Sequence, residues 1–212
     1  MRLARAPCWS TAPRKTQDVP GRIVGPVVRY GRGMTIELRT MSADDWECWR
    51  SVRLAALVEA PGAFASRAED WAEAPEDRWR QRLSIPGALD LLAFESATSD
   101  PVGMATGVPH TIDGTRVEII SLWVAPAARG RGIAGALIGE IAHRAARTGA
   151  TTLALSVMSD NVAARRTYEG NGFTVCREPV DPLPDGRREL VMLRELDTVM
   201  PRVMAPRPSP AP

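Results

Sequence analysis

Cysteine is scarce in this sequence, and its placement excludes two common ways of stabilising a small domain. Only three cysteines, Cys8, Cys48 and Cys176, occur among the 212 residues. An odd number without a CxxC pair argues against a disulfide framework and against a zinc site, so we predict free thiols, no bound metal and a cytoplasmic location. No apolar run approaches the roughly 20 residues of a transmembrane helix, so we predict no membrane partner.

The net positive charge is also small, and it comes from the two ends of the chain. The net charge is +2, of which residues 1–33 contribute +6 and residues 198–212 contribute +2, so the segment between them carries −6. Nucleic-acid binding needs a basic face. This mildly acidic segment therefore excludes nucleic acid as the main partner.

The two ends lack the hydrophobic periodicity of a folded domain. Residues 1–33 contain scattered proline and glycine, and residues 198–212 are rich in proline. Such segments cannot bury enough apolar surface to order themselves, so we predict disordered extensions on both sides of one domain at residues 34–197. Two alternatives for the basic start are an organellar transit peptide and a true start at Met34.

Strands and helices alternate between these ends. A strand at residues 35–39 precedes two helices, one capped by Ser42 and one beginning near Pro75. Asp113-Gly114 is a strong hairpin signal, which predicts an antiparallel meander. The three strands of this meander are residues 90–95, 102–109 and 116–124.

The pattern changes after the fourth predicted strand. Ile133, Leu137 and Ile141 recur every four residues and predict a helix that ends at Gly149, before an apolar strand at residues 151–157. A strand–helix–strand crossover places its two strands parallel in one sheet. The last elements are a helix and two strands, at residues 161–169, 173–177 and 189–193. We therefore predict an α/β fold with a mixed six- or seven-stranded sheet flanked by helices.

A segment rich in glycine and arginine, residues 129–135, connects the fourth strand to the long helix. Gly130, Gly132 and Gly135 let the backbone approach a ligand closely, while Arg129 and Arg131 supply charge and forked donors. The helix that begins here points unpaired N–H groups and its positive dipole end at the segment. This Gly/Arg segment predicts a pyrophosphate site; the alternative is a glycine-rich turn with solvated arginines.

The surrounding sequence limits the type of diphosphate ligand. A P-loop requires Gly-Lys-Ser/Thr after its glycines, and no such tripeptide follows. The glycines fit the bare dinucleotide-binding pattern, but they follow the fourth strand and not the first. Thr151 and Thr152 also stand about 20 positions on, where that pattern needs an acid.

Several segments in the right order resemble the GNAT superfamily of N-acetyltransferases. Arg129-x-x-Gly132-x-Ala134 is similar to the family signature for the pyrophosphate of coenzyme A, and the stretch from Leu122 to Pro126 resembles the family's fourth strand and its exit. Asn161-x-x-Ala164-x-x-x-Tyr168-x-x-x-Gly172-Phe173 resembles the second cofactor motif. Arg50-x-x-Arg53-Leu54-x-Ala56-Leu57 and Pro61-x-Ala63-Phe64-x-Ser66 resemble the first helix and following turn of many bacterial members.

This resemblance implies that acetyl-CoA binds as a cosubstrate in a cleft between the fourth and fifth strands. It also implies that Tyr168, a phenol with an ordinary pKa near 10, donates a proton to the departing thiolate. The residues implied to bind the cosubstrate are Leu122, Trp123, Val124, Arg129, Gly130, Arg131, Gly132, Ile133, Ala134, Asn161 and Ala164. Asn161 has an alternative role as a helix cap, and Tyr168 as a packing residue.

A protonated amine must lose a proton before it attacks a thioester, so we expect a general base. Glu118 on the fourth strand is the first candidate, and His110 near a strand end is the second. A solvated surface position is the alternative for each. Trp71 and Trp79 either shape an acceptor pocket or pack in a local core.

The expected activity is that of an acyltransferase. It moves an acetyl group from acetyl-CoA to a primary amine of a small molecule or peptide by direct attack. A non-catalytic acyl-CoA-binding module on the same fold is the first alternative, and a nucleotide-binding protein that uses the same loop is the second. The identity of the amine and the oligomeric state, including a homodimer, stay open.

Overall fold

A mixed β-sheet forms the centre of the computed structural model, which describes residues 22–30, 34–176, 182–183 and 185–197. Eight strands of the described chain belong to it: β1 (Arg22–Tyr30), β2 (Met34–Thr40), β3 (Leu89–Glu95), β4 (Asp100–Pro109), β5 (Arg116–Val124), β6 (Thr152–Met158), β7 (Thr174–Val175) and β8 (Glu189–Glu195). Their order in the sheet is β1-β2-β3-β4-β5-β6-β8-β7. β5 and β6 run parallel, and the other neighbouring pairs are antiparallel.

Helices lie on both faces of this sheet. Those in the described ranges are α1 (Trp46–Glu59), α2 (Glu69–Ala72), α3 (Glu76–Arg82), α4 (Ile133–Arg147) and α5 (Val162–Glu169). α1 and α3 pack on one face through Trp49 and Trp79, whereas α4 packs on the other face through Leu137 and Ile141. No helix in these ranges is both long and apolar enough to cross a lipid bilayer.

The alternation of side chains along β3 shows why the sheet is covered on both faces. Leu91 and Ala93 belong to the cluster around α4, whereas Leu92 and Phe94 belong to the cluster around α1. Because successive residues of a strand point to opposite faces, a run of apolar residues needs a cover on each side. The predicted α/β class, with a mixed sheet flanked by helices, is confirmed.

The first strand is a correction to the sequence analysis. We predicted residues 1–33 to be a disordered extension, but residues 22–30 form β1 and pair with β2 from Arg22 to Tyr30. The register shifts between Val24 and Val28, so Gly25 and Pro26 fall where the pairing is irregular. An edge position with a bulge accepts proline, which has no N–H to donate. The sheet therefore gains an eighth strand, while residues 1–21, 31–33 and 198–212 lie outside the described residues.

An opening between β5 and β6 positions the candidate site. These strands pair only over residues 116–119 and 152–155. Beyond that point β5 stays paired with β4, but the register shifts, because two residues of β5 stand opposite one residue of β4. Ser121 lies in this irregular stretch and has a φ of 58°. β6 continues along β8 instead. This gap is the predicted cleft between the fourth and fifth strands, which are β5 and β6 in the full count.

The contact between β4 and α4 leads to a test of how closely they pack. A Cβ atom at Gly107 would lie 2.7 Å from Cγ2 of Ile141, so Gly107→Ala should lower the free energy of unfolding by about 1–3 kcal/mol. Gly139 lies on the exposed side of α4 with no atom within 4 Å of such a Cβ. Gly139→Ala should instead raise stability by about 0.5–1 kcal/mol. Urea denaturation measures both, and equal midpoints for the two variants would contradict the close packing.

Candidate active site

The Gly/Arg segment presents backbone donors to the opening beside β5. Gly130 and Gly132 have φ angles of 72° and 78°, in the left-handed region that suits glycine. A Cβ atom at Gly130 would meet nothing within 4 Å, so this backbone faces open space. Gly132 is the N-cap of α4 and has no side chain to cap its first turn. The segment therefore aims the positive end of α4 outward, an arrangement that suits an anion.

Arg129 fixes the Gly/Arg segment to the rest of the fold. Its Nε donates to the carbonyl oxygen of Val124 at 3.0 Å, and its Nη2 donates to Glu59 Oε2 at 2.6 Å. The same carboxylate oxygen accepts from Trp123 Nε1 at 2.9 Å. Glu59 was not predicted as a site residue. Its signal is a carboxylate at the last position of α1, where the negative helix end disfavours an unpaired acid.

A cavity of about 620 Å³, here the loop cavity, lies between the Gly/Arg segment, the end of β5 and α5. Ten of the eleven residues predicted to bind the cosubstrate line it: Leu122, Trp123, Val124, Arg129, Gly130, Gly132, Ile133, Ala134, Asn161 and Ala164. Arg131, the eleventh, is exposed and is not part of this lining. The lining residues that were not predicted include Glu59, Thr167 and Asn171.

The first turn of α4 approaches the end of α5 very closely. A Cβ atom on Gly135 would lie 3.0 Å from Asn171 Oδ1, so a side chain there would press on that amide. Asn171 is itself held by donation from its Nδ2 to the carbonyl oxygen of Thr167 at 2.7 Å. Asn161, at the other end of α5, accepts from the N–H of Ala164 at 3.1 Å and so caps the helix.

A second cavity of about 370 Å³, here the strand cavity, lies between α1, β5 and β6. Five residues line both cavities: Ala63, Phe64, Leu122, Ser156 and Tyr168. The two cavities therefore meet where β5 and β6 separate. Trp71 and Trp79 line the strand cavity and contact each other, with ring centroids 4.7 Å apart.

Tyr168 stands at this junction, in the last turn of α5. Its ring packs edge-on against Phe173, with centroids 6.2 Å apart. Burial raises the pKa of Tyr168 to about 12, because the phenolate loses its hydration. The hydroxyl is therefore protonated at neutral pH and available as a donor to either cavity.

Glu118 and His110 form a pair at the rim of the strand cavity. Glu118 lines the cavity, and its Oε1 lies 3.7 Å from Nε2 of His110. His110 Nδ1 accepts from the N–H groups of Asp113 and Ile112 at 3.0 and 3.4 Å. An accepting Nδ1 places the ring proton of the neutral imidazole on Nε2, facing Glu118. The two base candidates are thus neighbours and not independent sites.

Charged residues that the sequence analysis did not assign to a site also line the strand cavity. They are Arg53, Arg82, Arg116 and Glu189. Sequence periodicity did not reveal them, because they come from α1, α3, β5 and β8, which lie far apart in the chain. Of these four residues, only Arg53 was named from the sequence, as part of the segment that resembles the first helix of bacterial GNAT members.

Comparisons with known proteins agree with this geometry. The model of the acetyltransferase (GNAT) family matches residues 40–173. A mycothiol acetyltransferase from Mycobacterium leprae (strain Br4923) is 34% identical over 161 residues, which are 72% of this chain and 50% of the relative. An L-methionine sulfoximine/L-methionine sulfone acetyltransferase from Salmonella typhimurium is 30% identical over 100 residues, or 44% of this chain and 58% of the relative. The chain thus spans about half the length of the curated relatives it matches.

A likeness among solved structures extends to the whole fold. The PaiA N-acetyltransferase from Thermoplasma acidophilum, solved in complex with coenzyme A, aligns with a TM-score of 0.60 at 22% identity. The alignment covers 76% of this chain and 99% of that chain. The family match covers well over half of the sequence and includes β5, the Gly/Arg segment and α5, and from it we conclude that the chain belongs to the GNAT acetyltransferase family.

Proposed function

We propose that this protein transfers an acetyl group from acetyl-CoA to a primary amine by direct attack. The observation that carries the proposal is the meeting of two cavities at Tyr168, with the Gly/Arg segment on one side and Glu118 on the other. One cavity has the donors that a diphosphate needs, and the other has a carboxylate that can accept a proton. The names of the two relatives support a small molecule over a peptide as the acceptor.

The loop cavity has the features that the coenzyme A part of the cosubstrate requires. Backbone N–H groups of residues 129–134 would hold the pyrophosphate at the start of α4. Because β5 has separated from β6 beyond Ile119, the backbone groups of Leu122 and Val124 would pair with the pantetheine arm. Asn161 would assist through its amide N–H₂, since only its Oδ1 is needed to cap α5. Trp123 and Arg129 would act indirectly, because both bind Glu59.

Two side chains would move the protons. Glu118 would accept a proton from the amine, directly or through a water molecule, as the amine nitrogen forms its bond to the acetyl carbon. The bond from that carbon to sulfur then breaks, and Tyr168 would donate to the departing sulfur. Burial raises the pKa of Tyr168 because a phenolate there would lose its hydration. A thiolate beside it would lose hydration too, so its proton affinity also rises and it can accept the proton of the phenol.

Ligand protection tests the cofactor half of this proposal. Acetyl-CoA at about 100 times its Kd should stabilise the protein by about 2.7 kcal/mol and raise Tm by several degrees, whereas ATP and NAD should not. Gly130→Val, which puts a side chain over the backbone donors, should remove most of the shift. Gly149→Val is the matched control, because Gly149 also has a positive φ and open space around a Cβ atom but lies beyond the far end of α4. Protection by ATP or NAD in place of acetyl-CoA would favour the nucleotide-binding alternative.

Tyr168→Phe tests the proton donor. Thiol release from acetyl-CoA with a panel of amines should fall about 100-fold or more in kcat, while acetyl-CoA affinity stays close to wild type because the ring is kept. Burial raises the pKa of Tyr168 to about 12 in the folded protein, so the folded state is favoured as long as the phenol is neutral in the unfolded chain as well. Wild type should therefore lose stability more steeply than the variant as the pH rises from about 10 towards 12. An unchanged kcat would leave Tyr168 a packing residue, and no turnover by wild type would favour the non-catalytic module.

Glu118→Gln and His110→Gln separate the two base candidates. With Glu118 as the base, its variant should lose about 100-fold in kcat/KM, and the His110 variant should lose much less, since His110 neighbours Glu118 but does not line the strand cavity. Glu47→Gln, an exposed charge change on α1, is the control. A larger loss in the His110 variant would assign the base to His110.

A further inference from the structure

Arg53 is a buried cation in the wall of the strand cavity. It lies on α1 with 9% of its surface exposed, and its guanidinium stacks over the ring of Phe64 at 4.6 Å. Its Nη1 has no hydrogen-bond partner among the described residues. Burial, and then the nearby charge of Arg82, lower the pKa of Arg53 to about 10, so the side chain remains charged at neutral pH. A buried charge without a partner is costly to a fold.

Three of the other charges in this wall already have partners. Arg82 Nη1 lies 3.0 Å from Asp90 Oδ1, and Thr106 donates to the same oxygen at 2.6 Å. Arg116 lies 4.0 Å from Asp113. Glu118 faces His110. Within the part of the chain that the structure describes, Arg53 is thus the cation of this group that lacks a counter-ion, and Glu189 is a lining carboxylate that lacks one too.

Those buried side-chain nitrogen and oxygen atoms of the same wall that lack a hydrogen-bond partner in the described residues are all donors. Arg53 Nη1, Trp79 Nε1 and Arg116 Nε are buried without a hydrogen-bond acceptor in the described residues. All three residues line the strand cavity. A ligand group with acceptor oxygens and a negative charge suits the Arg53 guanidinium, and a carboxylate is such a group.

The rest of the wall limits what else the ligand carries. Trp49, Phe64 and Trp71 supply aromatic surface, and Glu118 supplies a carboxylate for an amine. The volume of about 370 Å³ is at the small end of the usual range for small-ligand sites, which is about 300–1,000 Å³. The cavity therefore suits a compact molecule with an amine at one end, an acidic group at the other and an apolar part between.

We propose that the acceptor is a small amine that also carries a carboxylate, such as a free amino acid, and that Arg53 binds this carboxylate. The proposal rests on the proposed acetyl transfer and names its substrate class. Arg53 holds the acid group on the α1 side of the cavity, and the amine is directed to Glu118 and Tyr168. The arginine does not touch the reacting atoms, so it is a binding residue and its effect falls mainly on KM.

The test compares paired acceptors that differ only in the carboxylate. Thiol release is measured for the proteinogenic amino acids and for their decarboxylated counterparts, for example L-leucine with isoamylamine and L-phenylalanine with phenethylamine. Wild type should favour the carboxylated member of its best pair by about 100-fold in kcat/KM. Arg53→Gln should bring this ratio close to one, chiefly by raising KM for the amino acid, and Arg53→Lys should restore part of it. The ratio between variants cancels the intrinsic difference in basicity between the paired amines.

Arg147→Gln, which removes an exposed charge at the end of α4, should keep the wild-type ratio. If Arg53→Gln does not fold, Arg53→Lys takes its place, and it should lower the wild-type ratio because lysine lacks the forked donors of arginine. Equal rates within every pair, a preference for the decarboxylated amines or an unchanged ratio in Arg53→Gln would overturn the inference. Binding of acetyl-CoA without turnover of any acceptor would overturn it too and leave the cofactor site standing, whereas failure to bind acetyl-CoA would overturn the proposed function itself.

Discussion

Ser121 and Leu122 of β5 stand opposite the single residue Ala105 of β4, and pairing between β5 and β6 ends just before them, at Ile119. A sheet that kept its register here would close the space in which both cavities lie. The backbone of β5 past this point is left with one strand neighbour, so it can bond a ligand on its other side. The Gly/Arg segment follows directly, which places the start of α4 at the mouth of the same gap. The positive φ at Ser121 is strain that the pairing of β5 with β4 on either side of it must outweigh.

Much of the fold could be predicted, because local patterns fix it. The hairpin at Asp113-Gly114, the four-residue repeat of α4 and the apolar run of β6 each report an element without tertiary information. β1 was missed because Gly25 and Pro26 interrupt its alternation, and only pairing with β2 accommodates them. Its strand character depends on a partner and not on its own sequence.

The site was less predictable, for a physical reason. The end of β5, the Gly/Arg segment and α5 with its cap are contiguous motifs, so their residues could be named from the sequence, and ten of them share one cavity. Arg129 was expected to contact the ligand, yet its guanidinium is engaged by Glu59, 70 positions earlier in the chain. Arg53 and Glu189 reach the strand cavity from distant elements. A pattern confined to one segment cannot report partners that only folding brings together.

Arg53 lines the strand cavity and Glu59 lines the loop cavity, and both belong to α1, a single helix of 14 residues. A shift of this helix therefore moves a wall of each cavity at the same time. If one ligand shifts the helix and so changes the dissociation constant of the other, the second ligand changes the dissociation constant of the first by the same factor, because linkage is reciprocal. Selection for a new acceptor through changes in α1 would accordingly carry a cost or a gain in cosubstrate affinity.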